Sequence, residues 1–149
     1  MSISIRNIVP ADFPDLIRLF HEFSVFQKEP AKMTNSVEKL TADQELVMGF
    51  VAVSEEGEVL AYVTYFFTYH TWSGKSLYMD DLYVQQEFRG KGIGKALLEK
   101  VIEFAKDNNC ISLRWLVSHW NQKAKQFYAS IGAEISNNEE QCVLHLNND

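Results

Sequence analysis

The segment from Gln85 to Lys95, QQEFRGKGIGK, sets glycines at positions 90, 92 and 94 directly before a stretch in which Ile93, Leu97, Val101 and Ala105 recur at helical spacing. A glycine-rich turn that opens a helix makes an anion cradle. Its free backbone N–H groups point outward, the helix dipole adds partial positive charge, and glycine allows close approach, so a diphosphate suits it. Two familiar phosphate loops do not fit. A P-loop needs a glycine five positions before Gly94 and a Ser or Thr after Lys95, where this chain has Arg89 and Ala96. The dinucleotide fingerprint G-x-G-x-x-G fails as well, ending on Lys95 if begun at Gly90 and on Leu97 if begun at Gly92.

Just upstream lie two adjacent carboxylates, Asp80 and Asp81, in a run that reads as a strand. Leu77 and Met79 put apolar groups on odd positions, whereas Leu82 and Val84 put them on even ones. Side chains of a strand change face at every residue, so holding both pairs on one face requires an extra residue at Asp80–Asp81, a β-bulge. A bulge frees backbone N–H and C=O groups with which a ligand carrying its own amides could pair. A strand buried on both faces would show the same slip without a bulge.

The elements that position these residues follow from periodicity. Ser2 to Arg6 alternates like a strand, and Pro10, Asp12 and Asp15 supply helix-start chemistry before Phe13, Leu16, Ile17 and Phe20. Thr34 to Glu45 predicts a second helix, and Gly49–Ser54 with Val59–Thr68 a hairpin around the EEGE turn. Ser76 to Val84 is the strand with the slipped phase and Gly92 to Lys106 the helix after the turn. Ile111–Val117, Gln122–Ile131 and Gln141–Leu146 read as strand, helix and strand. The pattern predicts an α+β fold with a mixed sheet.

With 149 residues and no repeat, linker or low-complexity tract, the chain reads as one domain over 1–149. A net charge of -6 opposes binding to a nucleic-acid backbone and favours a cationic partner. No basic leader opens the chain and no run of eighteen apolar residues occurs, so the expectation is a cytoplasmic protein without a membrane partner. Cys110 and Cys142 have neither metal-ligand nor redox spacing, and His21, His70, His119 and His145 are scattered, so no metal is expected.

Arg89-Gly-Lys-Gly-Ile-Gly94 matches the R/Q-x-x-G-x-G/A motif of GNAT acetyltransferases. Together with Thr71 to Val84, Trp120-Asn121, Phe127-Tyr128 and Gly132-Ala133 it resembles the spermidine/spermine and thialysine N-acetyltransferase branch of that family. The resemblance covers most of the chain, with little from Pro30 to Glu45. It implies the GNAT fold, with helices on both faces of the sheet, and acetyl-CoA as co-substrate. Leu82, Tyr83 and Val84 would pair with the pantetheine arm through their backbone. Arg89, Gly90, Lys91, Gly92, Ile93, Gly94 and Lys95 would hold the diphosphate, and Asn121, Lys123, Ala124 and Tyr128 would complete the cofactor contacts. Asn121 also reads as the cap of the helix that begins at Gln122, and Tyr128 belongs to an apolar set with Ala124, Phe127 and Ile131, where it could be a core aromatic.

The same resemblance implies direct acetyl transfer to a primary amine of a small molecule. An alkylammonium with a pKa of about 10.4 must lose a proton before attack. Asp80 stands where the branch usually has Glu and would accept it through water, with Asp81 the second candidate. Tyr128 would protonate the departing thiolate. The amine pocket would involve Phe26, Gln27, His70, Trp72, Asp80, Asp81, Leu116 and Glu140, and the family habit implies a homodimer. Gln27 and His70 stand where the branch has Glu and Asp, which removes two negative charges and favours a diamine, thialysine or lysine-like amino acid over spermine. A protein or peptide N-acetyltransferase and a non-catalytic CoA-binding module are the competing expectations.

Overall fold

The computed structural model describes residues 2–146, in two compact units, Met1–Leu116 and Val117–Asp149. The first unit holds a five-stranded sheet in the order β1-β2-β3-β4-β5, formed by Ile3–Asn7, Met48–Ser54, Val59–His70, Gly74–Val84 and Ser112–Arg114. β1 to β4 pair antiparallel in sequence, while β5 joins β4 in parallel. A parallel neighbour needs a crossover, which helix α3, Ile93–Asp107, provides.

Helices α1, Phe13–Phe26, and α2, Val37–Ala42, precede the hairpin strands. α1 buries Phe13, Leu16 and Leu19 at a spacing of three, and they pack with Val51, Val53, Val59, Tyr62 and Tyr83 from the sheet. The opposite sheet face meets α3. Phe104 lies 4.8 Å from Tyr65 and 5.8 Å from Phe67 between ring centroids, and Leu97, Leu98 and Val101 are buried beneath it. Full burial of one such leucine contributes about 1.5–3 kcal/mol, so each helix is held by its apolar stripe more than by helix propensity. Lys95, Glu99, Glu103 and Lys106 stay exposed on the other side of α3.

The α1 entry is fixed by a buried carboxylate. Asp12 takes two hydrogen bonds from the Arg6 guanidinium, at 2.8 and 2.9 Å, and a third from the Val9 N–H at 2.9 Å. Burial alone would raise this carboxyl, but the bonds from Arg6 and Val9 outweigh it and hold it below the usual range. The second unit contains α4, Gln122–Ser130, whose first turn is capped by the Asn121 side chain accepting from the Ala124 N–H at 3.1 Å.

Three expectations change. The Thr34–Glu45 helix contracts to Val37–Ala42 plus a turn of 3-10 helix at Gln44–Leu46. The Ile111–Val117 strand is only Ser112–Arg114, because β4 offers it partners at Ser76, Leu77 and Tyr78 alone. Residues 141–146 form no strand, although their apolar residues Val143, Leu144 and Leu146 are exposed. Apolar character does not make a strand without a partner ladder, and among the described residues the sheet has no ladder that includes this segment. No helix of the described residues is long and apolar enough to cross a membrane.

Candidate active site

The phase slip in β4 is a bulge. Opposite β3, Thr64 faces Asp81 and Tyr65 faces Met79, leaving Asp80 as the extra residue. The register puts Leu77, Met79, Leu82 and Val84 on the face of Phe67, Tyr65, Val63 and Ala61, the face α3 covers. Tyr83 is buried in the opposite face against α1, so β4 is covered on both sides and the side-chain pattern could not decide the matter alone. The ladder decides it.

β5 accompanies β4 only from Ser76 to Tyr78. From Met79 to Val84, β4 therefore pairs on its β3 side and, among the described residues, has no strand of this sheet on its other edge. Its backbone groups on that edge, where the Val84 carbonyl already accepts from Arg89, run straight into the glycine turn. The Tyr83 side chain is committed elsewhere: its hydroxyl donates to Glu22 at 3.2 Å and its ring stacks on Phe23 at 5.0 Å. Any ligand contact at Tyr83 is thus a backbone contact.

In the turn, Gly90 and Gly92 take φ of 77° and 83°, a left-handed conformation that glycine adopts without steric cost. Gly92 is the N-cap of α3 and among the described residues no side chain caps that end, so the first-turn N–H groups have no acceptor within the helix. A Cβ built at Gly90 or Gly92 would meet nothing within 4 Å, and one at Gly94 would touch only Val84 at 3.6 Å. The space over the turn is open, and Lys91 and Lys95 are exposed beside it. Donors without partners, a helix N-terminus and two lysines fit a diphosphate. Ile93 is buried and can offer only its backbone.

Arg89 does more than the motif suggests. Its Nε donates to the Val84 carbonyl at 2.8 Å, and its guanidinium sits 4.9 Å from the Phe26 ring and 5.3 Å from the Tyr83 ring. It ties the turn back to the strand end and to the last residue of α1. This is also how Phe26, expected in the amine pocket, comes next to the glycine turn, with Gln27 directly after it.

The bulge carboxylates differ. Asp80 keeps an exposed edge, yet the surrounding strand withdraws enough water to push its carboxyl upward. Asp81 is more enclosed. Burial first, and the charge of Asp80 second, raise it to about 6, against a hydrogen bond from the Tyr62 hydroxyl at 2.9 Å that lowers it. The Tyr62 phenol is itself pushed well up by burial and by Asp81, so it stays protonated as the donor.

His70 and Trp72 stand apart. His70 ends β3, its ring Nε2 3.1 Å from the Thr68 hydroxyl, and Trp72 is fully exposed in the turn that follows. Six residues of ladder separate His70 from Thr64 opposite Asp81, roughly 20 Å at strand rise. Leu116 is exposed at the end of the first unit. Asn121, Lys123, Ala124, Tyr128 and Glu140 belong to the second unit. There the Tyr128 ring lies 5.5 Å from Phe127, and burial raises its phenol above the ordinary value.

Sequence reasoning missed Tyr62, Glu22 and Gln85. Glu22 on α1 accepts from Tyr83 and from the Gln85 amide, each at 3.2 Å, while the Gln85 Oε1 is buried without a hydrogen-bond partner among the described residues. Nothing local marks these residues, whose partners lie 19 to 63 positions away. Among the described residues no group of three or more His, Cys, Asp or Glu is placed to hold a metal ion.

The chain is similar to known proteins. The family model described as the acetyltransferase (GNAT) family matches residues 11–133. The thialysine N-epsilon-acetyltransferase of Bos taurus is 34% identical over 143 residues, covering 89% of this chain and 84% of its own. A Homo sapiens spermidine/spermine N(1)-acetyltransferase-like protein is 31% identical over 151 residues, covering 91% of this chain and 21% of the longer protein. Among solved structures, an integron cassette protein from the mobile metagenome of V. cholerae superposes with a TM-score of 0.79 at 28% identity, over 99% of this chain and 94% of its own.

Proposed function

Because the chain belongs to the GNAT acetyltransferase family, we propose that it moves the acetyl group of acetyl-CoA directly onto a primary amine of a small molecule, a diamine, thialysine or lysine-like amino acid. The observation that carries this reading is the stretch of β4 beyond the reach of β5, from Met79 to Val84, which leads to a helix N-terminus without a side-chain cap. An amide-bearing arm with a diphosphate at one end matches that sequence of groups. The family match crosses from the first unit into the second, which supports reading 1–149 as one catalytic domain.

In this reading acetyl-CoA supplies the activated thioester carbonyl. The backbone of Leu82, Tyr83 and Val84 aligns its arm, and the amides from Gly90 to Lys95 hold its diphosphate. The family resemblance assigns Asn121, Lys123 and Ala124 to the same co-substrate. Asp80 takes, through water, the proton that the ammonium must lose before its nitrogen attacks, and Asp81, enclosed beside it, is itself pushed up by the charge of Asp80 after burial. As the C–S bond breaks, Tyr128 gives its phenolic proton to the thiolate; burial keeps that phenol loaded at neutral pH. Neither cysteine lies in the turn or the bulge, so direct transfer suits the chain better than an acetyl-enzyme.

Substrate size follows from the separation of the carboxylates and the hairpin tip. A four-carbon amine bound at Asp80 does not span the ladder to His70, so Phe26, Gln27, Asp80 and Asp81 are left for the acceptor contacts, and His70 and Trp72 for longer polyamines. The deciding experiment is thiol release from acetyl-CoA with a panel of amines and lysine-containing peptides. Turnover is expected with thialysine and short diamines. Turnover with peptides alone moves the enzyme to protein acetylation, and acetyl-CoA binding without turnover on any amine makes it a binding module.

A further inference from the structure

The bulge explains why Asp80 is displaced from the ladder, but it leaves open what holds the second carboxylate. Asp81 faces Thr64, and its Oδ2 accepts from the hydroxyl of Tyr62, two residues along β3 on the same face. Tyr62 is fully buried. Its ring stands edge-on to Phe20 of α1 at 5.0 Å and tilted against Tyr83 at 6.3 Å, so the phenol is wedged with little freedom to turn away.

We propose that Tyr62 is a positioning residue of the reaction: its hydroxyl pins the Asp81 carboxylate to the α1 face of the sheet, so that Asp80 alone is the mobile, solvent-facing member of the pair. The inference rests on the reading of Asp80 as the proton acceptor. Tyr62 touches neither substrate in this scheme and acts through Asp81. By donating to the charged form of Asp81 it favours ionisation there, and the fixed charge in turn makes Asp80 a stronger base than it would be beside a neutral neighbour.

The groups that face Asp81 are few. From β3 comes the Tyr62 hydroxyl; along β4 lie Asp80, Tyr78 and Tyr83, and the charges of both aspartates raise Tyr78 after burial does. On α1, Glu22 is engaged by Tyr83, Gln85 and Arg18, and Arg18 also pairs with Asp15. No lysine, arginine or histidine is paired with Asp81 among the described residues. The phenol is therefore the donor whose removal Asp81 should feel most.

The test is Tyr62→Phe, which keeps the ring contacts and deletes the hydroxyl. The Asp81 carboxyl is followed by carbon-13 NMR titration without substrates, and kcat by thiol release across pH with the best amine of the panel. Both the Asp81 midpoint and the acid limb of kcat are expected to move up by about one pH unit, with KM for acetyl-CoA unchanged and activity recovered at alkaline pH. A purely structural tyrosine would lower the melting temperature and leave both titrations in place, and that result overturns the proposal, as does a shifted midpoint with an unshifted kcat profile. Should Tyr62→Phe not fold, Asp81→Asn, which keeps an acceptor for the phenol, gives the answer: loss of the acid limb supports the coupling and a wild-type limb refutes it. Failure of the broader reading looks different, because the unmodified enzyme would then acetylate no amine at all.

Discussion

Two corners of the first unit each enclose an aspartate, and they push it in opposite directions. At the start of α1, Asp12 receives a guanidinium and a backbone N–H and is held below the usual carboxylate range despite its burial. At the β4 bulge, Asp81 receives one phenol, has a second carboxylate beside it, and rises to about 6. Burial penalises both charges, so the partners decide. An ion pair with bidentate geometry fixes a chain entry and leaves nothing to titrate near neutrality, whereas a carboxylate pair stabilised by a single neutral donor is poised to exchange protons there. The contrast separates a carboxylate used for folding from carboxylates available for chemistry.

The largest effect should come from the solvent-facing member of the pair. Asp80→Asn removes the proposed proton acceptor and is expected to lower kcat by about 10²–10⁴-fold, with acetyl-CoA binding retained by calorimetry; an unaltered kcat would take the base role from Asp80. Next in size is the pH dependence. Asp81 loses its charge as pH falls through about 6, so kcat should decline below that point, by up to about tenfold per pH unit. Asp12, charged throughout that range, should contribute nothing to the decline. If Asp12→Asn shifts the same limb, the division between the two corners fails.

What could be read from sequence alone was what depends on local covalent rules. The change of side-chain phase between Leu77–Met79 and Leu82–Val84 pointed to Asp80–Asp81, and the ladder shows one extra residue there. Glycines before an apolar helical stripe located the turn and its uncapped end. The family and the sheet with helices on both faces followed from the same motif. Pairings set by long-range register stayed hidden: Tyr62 sits in an apolar run whose composition says nothing of Asp81, 19 residues on, and Glu22 meets Tyr83 across 61 residues. The expectation at Gln141–Leu146 failed for the complementary reason, since a strand is a property of two chains and side-chain composition describes only one.

The structural corner should show itself in stability. Asp12→Asn breaks the bonds to Arg6 and is expected to cost about 2 kcal/mol at pH 7 by urea unfolding, the value being limited because the Arg6 side chain is 44% exposed. Since the folded state depresses this carboxyl, its contribution is present above the ordinary value of 3.8 and disappears as pH falls through the lower folded value. The variant and the parent should therefore converge in strong acid. kcat well below the melting temperature should be unchanged.

The smallest effect has the opposite sign. Asp81 has a folded value of about 6 against an ordinary 3.8, so between these the folded state holds more protons than the unfolded chain, and stability falls as pH rises through that window. Above about 6 the full cost of a buried charge next to Asp80 is carried by the native state. Asp81→Asn removes that cost and keeps a carbonyl to accept from Tyr62. The variant should melt about 2–4 °C higher than the parent at pH 8, a gain of about 1 kcal/mol, and level with it near pH 4, while its turnover falls. Stability gained together with activity lost is the signature of a group kept for chemistry. A variant that melts lower at both pH values would place Asp81 with Asp12, as a carboxylate the fold needs.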